Sequence, residues 1–262
     1  MPYSKLAATA QITGLSKLLL LLLMFTTSSA FSQNQSIHPF PVSLYKANYS
    51  AQLSGLKINA VQKLEELEPG IYRESLSAKN FIGKVDEQSI FKLTADQQLY
   101  PTEYSYIRSV FGKDRSEKQH FDWQTSKVHY HKNGSANKEL ELKAGFQDMI
   151  THRLQLRRDL SAGKQVFSYP VISRGKLKQY DYKVVSEQIL QTSIGPLNTV
   201  KVERVVDDAN KTVIIWLATD WDYLIVKLQQ SKGKDGHYLN LQSAVINDKA
   251  ITPLANTNEN QL

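Results

Sequence analysis

The sequence predicts an all-β protein with one amphipathic helix, built as a strongly curved antiparallel sheet or a half-open barrel. Three observations support this fold class. Runs of about eight to twelve residues with strand character recur along the chain, separated by turn signals. The 13 tyrosines and many β-branched residues suit a pleated, half-buried surface. A single segment near the middle of the chain has helical periodicity instead.

The predicted strands follow one another from Leu44 onward, with turn signals at Ser54–Gly55, Pro69–Gly70 and Asn133–Gly134. We expect roughly ten to fourteen strands in one curved domain. The segments with strand character are SLYKANYSAQL, LKINAVQKLEEL, GIYRESLSAKN, DEQSIFKLTAD, LYPTEYSYIRSV, KQHFDWQT, KVHYHK, FSYPVIS, KQYDYKVVSEQIL, LNTVKVERVV, KTVIIWLA, YLIVKLQQ and HYLNLQSAVI.

The segment KTVIIWLA differs from the other predicted strands because both of its faces are apolar. One face carries three aliphatic side chains, and the other carries Ile214, Trp216 and Ala218. A strand that is apolar on both faces is expected to be covered on both. The cover of the second face is the helix, another sheet or a bound apolar ligand.

The segment Gly145–Gly163 spaces its apolar residues three and four positions apart, which predicts an amphipathic helix. Gly163 is a suitable helix stop. With one helix and many strands in the chain, we expect this helix to pack on the concave side of the sheet.

Two arginines, Arg153 and Arg157, lie four residues apart at the centre of the apolar face of this helix. In one interpretation their stems cover apolar surface and their guanidinium groups reach water. In a second they pair with strand carboxylates such as Glu203 or Asp122. In a third they hold a phosphate or carboxylate head group at the mouth of an apolar cavity. The third interpretation gives the candidate ligand-binding residues Arg153, Arg157, Trp216, Ile214 and Met149.

The two ends of the chain are expected to lie outside the folded domain. Lys5 and Lys17 precede the apolar run LLLLLLMF and the small residues TTSSA, the pattern of a secretory signal peptide over residues 1–32. The exported β-domain then covers residues 33–247, and residues 248–262 form a polar tail predicted to be disordered. The sequence therefore predicts a periplasmic protein with no transmembrane segment after signal cleavage.

Composition excludes several classes of function. The formal net charge of +7 is spread along the chain among 25 acidic residues, so no nucleic-acid interface is expected. The chain has no cysteine, which excludes thiol catalysis, iron–sulfur clusters and cysteine zinc sites. No cofactor is indicated, and no pattern indicates an oligomeric state.

Two clusters of titratable residues have structural interpretations beside catalytic ones. Asp220 and Asp222 in LATDWDYLIVKL resemble a carboxylate pair, but their position between two strands predicts a turn. His129 and His131 share one strand face, where an exposed pair is expected because metal sites in proteins generally use three or four ligands. Nucleotide, serine-hydrolase and zinc-protease motifs are absent. We therefore assign no catalytic or metal-binding residue.

The order of several stretches resembles the exported bacterial family catalogued as domain of unknown function 3108. These stretches are YKANYSAQLSGLKI, SIFKLTADQQLYPTEYSY, HFDW, FQDMITHRLQLRRDL, IGPLNTVKVERV and IIWLATDWDYLIVKLQQ, and they span Leu44 to Ser243. The resemblance implies a periplasmic, mostly antiparallel β protein and no particular activity. A looser similarity, at the level of the fold, is to the half-open barrels of the lipoprotein carriers LolA and LolB.

The sequence thus favours a non-enzymatic periplasmic protein that binds an apolar or amphipathic envelope component, namely a lipid, a lipoprotein or a glycan. One alternative is a scaffold of envelope assembly with a filled core and no ligand cavity. Another is a hydrolase of envelope polymers that uses Asp220 and Asp222.

Overall fold

The structure is a computed structural model that describes residues 43–53, 56–81, 83–94, 98–133, 135, 137–208, 210–233 and 235–255. The predicted signal peptide and the turn predicted at Ser54–Gly55 lie outside these ranges. The described part contains one helix, α1 (Thr151–Ser161), and fifteen strands. The strands are β1 (Tyr45–Leu53), β2 (Leu56–Glu68), β3 (Ile71–Asn80), β4 (Gly83–Leu93), β5 (Leu99–Val110), β6 (Lys113–Asp122), β7 (Lys127–Lys132), β8 (Lys138–Glu141), β9 (Val166–Ser173), β10 (Lys176–Thr192), β11 (Gly195–Val205), β12 (Lys211–Ala218), β13 (Leu224–Lys232), β14 (Asp235–Ile246) and β15 (Lys249–Ala250).

The strands form one continuous sheet that does not close. Its order is β8-β7-β6-β5-β4-β3-β2-β1-β14-β13-β12-β11-β10-β9, with β15 paired to β14. Neighbouring strands are antiparallel throughout, and the pairing of β1 with β14 joins the two halves of the chain. The edge strands β8 and β9 are not paired with each other. The predicted fold class, a β-rich protein with a large open antiparallel sheet and one helix, is confirmed.

The two edges of the sheet lie close together and are bridged by the segment that leads into the helix. The backbone N–H of Gln147 donates to Pro170 O at 2.9 Å, and its carbonyl accepts from Ile172 N at 2.8 Å. Lys138 Nζ of β8 donates to the carbonyl of Gly175, in the β9–β10 turn, at 2.7 Å. These contacts hold the sheet in the shape of a half-open barrel.

Helix α1 begins six residues later than the apolar spacing predicts. The prediction of a helix from Gly145 is wrong because the backbone of Gln147 is already paired with β9. Asp148 Oδ1 then accepts from the backbone N–H groups of Ile150 and Thr151, at 2.7 and 2.8 Å. An aspartate that bonds nearby backbone in this way favours a turn before the helix over another helical turn. The predicted stop is correct, since the helix ends at Ser161 and Gly163 follows with φ of +78°.

The helix lies inside the curved sheet, as predicted, and it is buried around most of its circumference. Leu154, Leu156 and Leu160 belong to two apolar clusters, one with strands β1–β5 and β11–β14 and one with strands β9–β13. Ile150, just before the helix, belongs to a third cluster with β5–β7 and β9. The apolar side chains of this short segment therefore pack in clusters with strands from both halves of the sheet.

The second apolar face of β12 is covered by the chain itself. The tip of the β10–β11 hairpin folds back over the neighbouring strands, and Ser193 Oγ donates to Leu241 O at 2.6 Å. Trp216 is 6% exposed and packs in a cluster that contains Leu197 and the half-buried Ile194. Of the three covers that the sequence left open, the helix, another sheet or a bound apolar ligand, the structure shows a bent β-hairpin of the same sheet on this face.

The segment that follows β14 is ordered where we predicted a disordered tail. Lys249 and Ala250 pair with β14, and Ile251 is 8% exposed. Leu254 N donates to Pro196 O at 2.9 Å, which ties the segment to the β10–β11 tip. The buried Ile251 and the half-buried Leu254 hold this stretch against the sheet. Residues 256–262 lie outside the described ranges.

Candidate ligand-binding site

A cavity of 470 Å³ lies on the concave side of the sheet, beside the start of α1. Its wall includes strands from both halves of the barrel, β4–β6 on one side and β9–β13 on the other. The lining combines aliphatic, tyrosine and charged side chains: Glu87, Tyr104, Tyr106, Arg115, Glu117, Met149, His152, Arg153, Ser173, Arg174, Lys178, Tyr180, Tyr182, Arg204, Lys211, Val213, Ile215, Leu228 and Gln230. Its volume is within the range of small-molecule sites, and its lining is more polar than that of most such sites.

Of the predicted site residues, Met149 and Arg153 line this cavity. Arg153 Nε donates to Met149 O at 2.8 Å, and its guanidinium lies 3.4 Å from Glu87 Oε2 of β4. Burial acts to lower the pKa of Arg153, but the carboxylates of Glu87 and Glu74 outweigh it and raise the pKa. Arg153 is therefore a paired cation. Of the three interpretations, Arg153 follows the second, in which it pairs with a strand carboxylate. The carboxylate is that of Glu87, not the suggested Glu203 or Asp122.

Arg157 does not contribute to the cavity, so the predicted clamp of two arginines is not formed. Its guanidinium lies 5.0 Å from the ring centroid of Tyr45, and its Nε donates to Asp222 O at 3.0 Å. Tyr45 in turn donates to the buried Glu74 at 2.9 Å. Burial raises the pKa of Glu74, and the charges of Arg157 and Arg153 oppose that shift. Arg157 thus serves a structural network between the helix, β1 and β3.

Trp216 and Ile214 also lie away from the cavity. The cavity is lined by Val213 and Ile215, on the other face of the same strand. Trp216 is flanked by Lys201 and Lys227, whose ammonium groups lie 5.7 and 4.8 Å from its ring. Strand alternation places Ile214 and Trp216 together, but the sequence does not show which face of a two-sided strand meets the cavity.

Among the described residues of the cavity wall, His152 is the one histidine, and burial favours its neutral form. Its Nδ1 lies 3.0 Å from Asp148 O, a carbonyl that can only accept, so Nδ1 carries the proton. Its Nε2 then accepts from the hydroxyl of Tyr182 at 3.0 Å. Burial, aided by the charge of Arg153, lowers the pKa of His152 to about 3. The ring acts as a fixed neutral link between the helix and β10.

Sequence reasoning missed most of the charged lining. Arg174 lies in the β9–β10 turn, and Arg115, Lys178, Arg204 and Lys211 lie on strands β6, β10, β11 and β12, whose placement around one cavity the sequence does not show. One signal was present: Lys178, Tyr180 and Tyr182 alternate along β10 and so share the face that lines the cavity.

The predicted turn at Asp220 and Asp222 is confirmed. Residues 219–223 connect β12 to β13. Asp220 accepts from Asn198 Nδ2 at 2.8 Å, and Asp222 has φ of +49° and accepts from the Ser43 hydroxyl. Both carboxylates are engaged in local structure, outside the cavity.

The histidine pair of β7 lies on an exposed face. The ring of His129 is 6.2 Å from that of His120, and its Nδ1 is 3.3 Å from Glu139 Oε1. His131 Nδ1 lies 2.5 Å from Asn137 Oδ1. Among the described residues, no group of three or more His, Cys, Asp or Glu side chains has the geometry to hold a metal ion. Nor does any helix in those residues have the length and apolarity of a membrane span.

The chain is similar to two groups of proteins of unknown function. The family model described as "Protein of unknown function (DUF3108)" matches residues 73–238. A crystal structure of a beta-barrel-like protein of domain of unknown function DUF1849, from Brucella abortus, aligns with a TM-score of 0.52 and 12% identity over 78% of this chain and 98% of that one. At this identity the similarity concerns the fold alone. No curated protein matches the chain in sequence.

Proposed function

We propose that this chain, which belongs to the DUF3108 family of proteins of unknown function, is a non-enzymatic periplasmic protein that binds an amphipathic component of the cell envelope. The observation that carries the proposal is the 470 Å³ cavity between α1 and the concave sheet. Export to the periplasm rests on the signal-peptide pattern at the start of the sequence.

The lining of the cavity favours an amphipathic ligand over a purely apolar one. Met149, Val213, Ile215 and Leu228 supply an aliphatic patch, while tyrosines and charged groups occupy the rest of the wall. Burial of a hydrocarbon group against apolar surface is favourable, and convergent polar groups orient a head group. Among lipid, lipoprotein and glycan, this combination supports a lipid or the acylated end of a lipoprotein.

The alternatives have less support. A scaffold with a filled core does not need a cavity of this size. The two carboxylates that a hydrolase would use, Asp220 and Asp222, lie in the β12–β13 turn and do not line the cavity. The looser similarity to lipoprotein carriers remains a prediction at the level of fold.

Native mass spectrometry of the protein purified from envelopes tests the proposal. We expect a co-purified mass that organic solvent removes and that envelope lipid extract restores. Val213→Phe, which fills the cavity, should abolish retention. Ile214→Phe, on the opposite face of the same strand, is the matched control and should retain the ligand. A wild-type protein that never carries or takes up such a mass would overturn the proposal.

A further inference from the structure

Four basic side chains on the cavity wall have no acidic partner in the part of the chain that the structure describes. They are Arg174, Lys178, Arg204 and Lys211. The other two arginines of the lining are paired, Arg115 with Glu117 and Arg153 with Glu87. The cavity therefore carries four positive charges in excess. Such clustering is unfavourable in the empty protein because like charges repel; Arg174 and Lys178 are exposed, whereas Arg204 and Lys211 are half-buried.

Arg204 is the most constrained of the four. Its guanidinium lies 3.6 Å from the ring centroid of Tyr180, which fixes its plane by stacking. The Tyr180 hydroxyl is itself held by Met149 Sδ at 3.4 Å. Arg204 Nε is shielded from solvent and has no hydrogen-bond partner in the ranges that the structure describes. A buried, oriented donor without an acceptor indicates a site for an anion.

We propose that Arg204, Lys178, Arg174 and Lys211 bind a phosphate-bearing head group, which deepens the proposed function and rests on it. A phosphomonoester carries up to two negative charges and three acceptor oxygens, so it can engage several cations at once. A single carboxylate would leave most of the excess charge uncompensated. The aliphatic patch of Val213, Ile215 and Leu228 on the same wall receives the adjoining hydrocarbon.

Calorimetric titration of the mature protein with three probes tests this inference: dodecyl phosphate, the neutral monododecanoylglycerol and inorganic pyrophosphate. Because charged hydrogen bonds discriminate strongly, we expect dodecyl phosphate to bind at least about tenfold more tightly than the glycerol ester. Lys178→Gln combined with Lys211→Gln should remove this preference. Both side chains are unbonded in the structure, so folding should not change. Lys92→Gln combined with Lys176→Gln removes two exposed lysines outside the cavity and should leave the preference intact.

The outcomes separate the two proposals. Equal affinity for both amphiphiles would overturn the phosphate site and leave amphiphile binding standing. Binding of pyrophosphate without either amphiphile would support the phosphate site and overturn the amphipathic ligand. Failure of all three probes to bind would overturn both.

A second, independent observation concerns two phenylalanines at the tips of adjacent hairpins. Phe81, in the β3–β4 turn, is 91% exposed, and Phe111, in the β5–β6 turn, is 76% exposed. The turns adjoin because Gly83 pairs with Val110. Residues 79–86 and 108–115 together contain five basic and two acidic side chains. The alternation of the antiparallel strands puts the β9–β10 turn, with Arg174, at this same end of the sheet.

The geometry points to an anionic lipid surface as the partner of these two hairpin tips. Exposed aromatic rings bind favourably in the headgroup region of a membrane because their apolar surface is buried there. Flanking basic residues strengthen this binding through electrostatic attraction to anionic lipids. Sedimentation with vesicles should show binding to phosphatidylglycerol-containing membranes that Phe81→Ser with Phe111→Ser reduces at least about tenfold, since each ring buries a large apolar area. Val166→Ser with Ile189→Ser removes exposed apolar groups from the opposite end and should have no effect. An equal loss of vesicle binding in both double variants would overturn this inference, and so would a wild-type protein that does not bind vesicles.

Discussion

Arg153 of α1 and Glu87 of β4 form an ion pair across the cavity wall, with 3.4 Å between a guanidinium nitrogen and Oε2. Tyr104 also donates to Glu87, at 2.8 Å. One carboxylate therefore joins the helix to two neighbouring strands. Removing one partner of a buried pair costs more than the pair itself contributes, because the other charge stays buried without compensation.

Because the pair is only partly buried, we expect Glu87→Gln to lower the free energy of unfolding by about 1–2 kcal/mol. Urea denaturation measures the change. Glu139→Gln, which breaks an exposed pair with Lys127, is the control and should have no measurable effect. A Glu87→Gln protein as stable as the wild type would show that Arg153 is solvated.

Asp148 and His152 give the protein two opposite dependences of stability on pH. Burial raises the pKa of Asp148 from 3.8 to about 6, although hydrogen bonds from Ser89 and from the Ile150 and Thr151 backbone oppose the shift. Because its pKa is higher in the folded protein, Asp148 contributes most to the free energy of unfolding below pH 4, and this contribution is lost as pH rises through 6. The pKa of His152 is lowered from 6.5 to about 3, so its contribution is present above pH 6.5 and is lost as pH falls.

Between about pH 6 and pH 4 these two effects offset each other in the wild type. Relative to the wild type, Asp148→Asn should lose on the order of a few kcal/mol of stability over this interval as pH falls. His152→Gln should gain stability over the same interval. Denaturant unfolding from pH 7 to pH 4 measures both differences, with the exposed Asp114→Asn as control. Parallel curves for all four proteins would contradict the two pKa shifts.

Gly175 closes the β9–β10 turn directly against β7. Its φ is +66°, and a methyl group there would lie 2.6 Å from the ring of Tyr130. Gly112 has a similar φ of +69°, but nothing lies within 4 Å of a methyl group at that position. Gly112→Ala should therefore cost only the left-handed strain, about 1 kcal/mol, whereas Gly175→Ala adds a steric clash of about 1–3 kcal/mol. Thermal unfolding of the two variants measures the difference. Equal losses of stability in Gly112→Ala and Gly175→Ala would contradict the close contact across the open edge of the sheet.

The strands and the helix could be predicted from the sequence because each has a periodic pattern within its own segment. The cavity could not, because its wall is built from strands far apart in the chain. Strand alternation and turn signals place most strands, and helical spacing places α1. The start of α1 was misplaced because Asp148 and Gln147 bond in ways that apolar spacing does not register. The ordered stretch after β14 was missed because Ile251 N donates to Ala244 O of β14 and Leu254 N donates to Pro196 O of the folded-back β10–β11 hairpin, long-range contacts that local periodicity does not register.

In the candidate site, too, local sequence patterns identify some residues, whereas the roles of others depend on contacts with distant parts of the chain. Arg153 stands out as a cation on an apolar helix face, and it does line the cavity. Arg157 gives the same local signal but belongs to the network of Tyr45 and Glu74. Arg204 gives no local signal, since its role depends on Tyr180 of a neighbouring strand and on a cavity wall built from both halves of the sheet.

Intermolecular nuclear Overhauser effects on methyl-labelled protein test the central claim most directly. With dodecyl phosphate bound, we predict contacts from the hydrocarbon protons to the methyl groups of Val213, Ile215 and Met149, and none to Ile214 on the other face of β12. Contacts to Ile214, or an amphiphile that binds without touching Val213 or Ile215, would contradict a ligand site between the helix and the concave sheet.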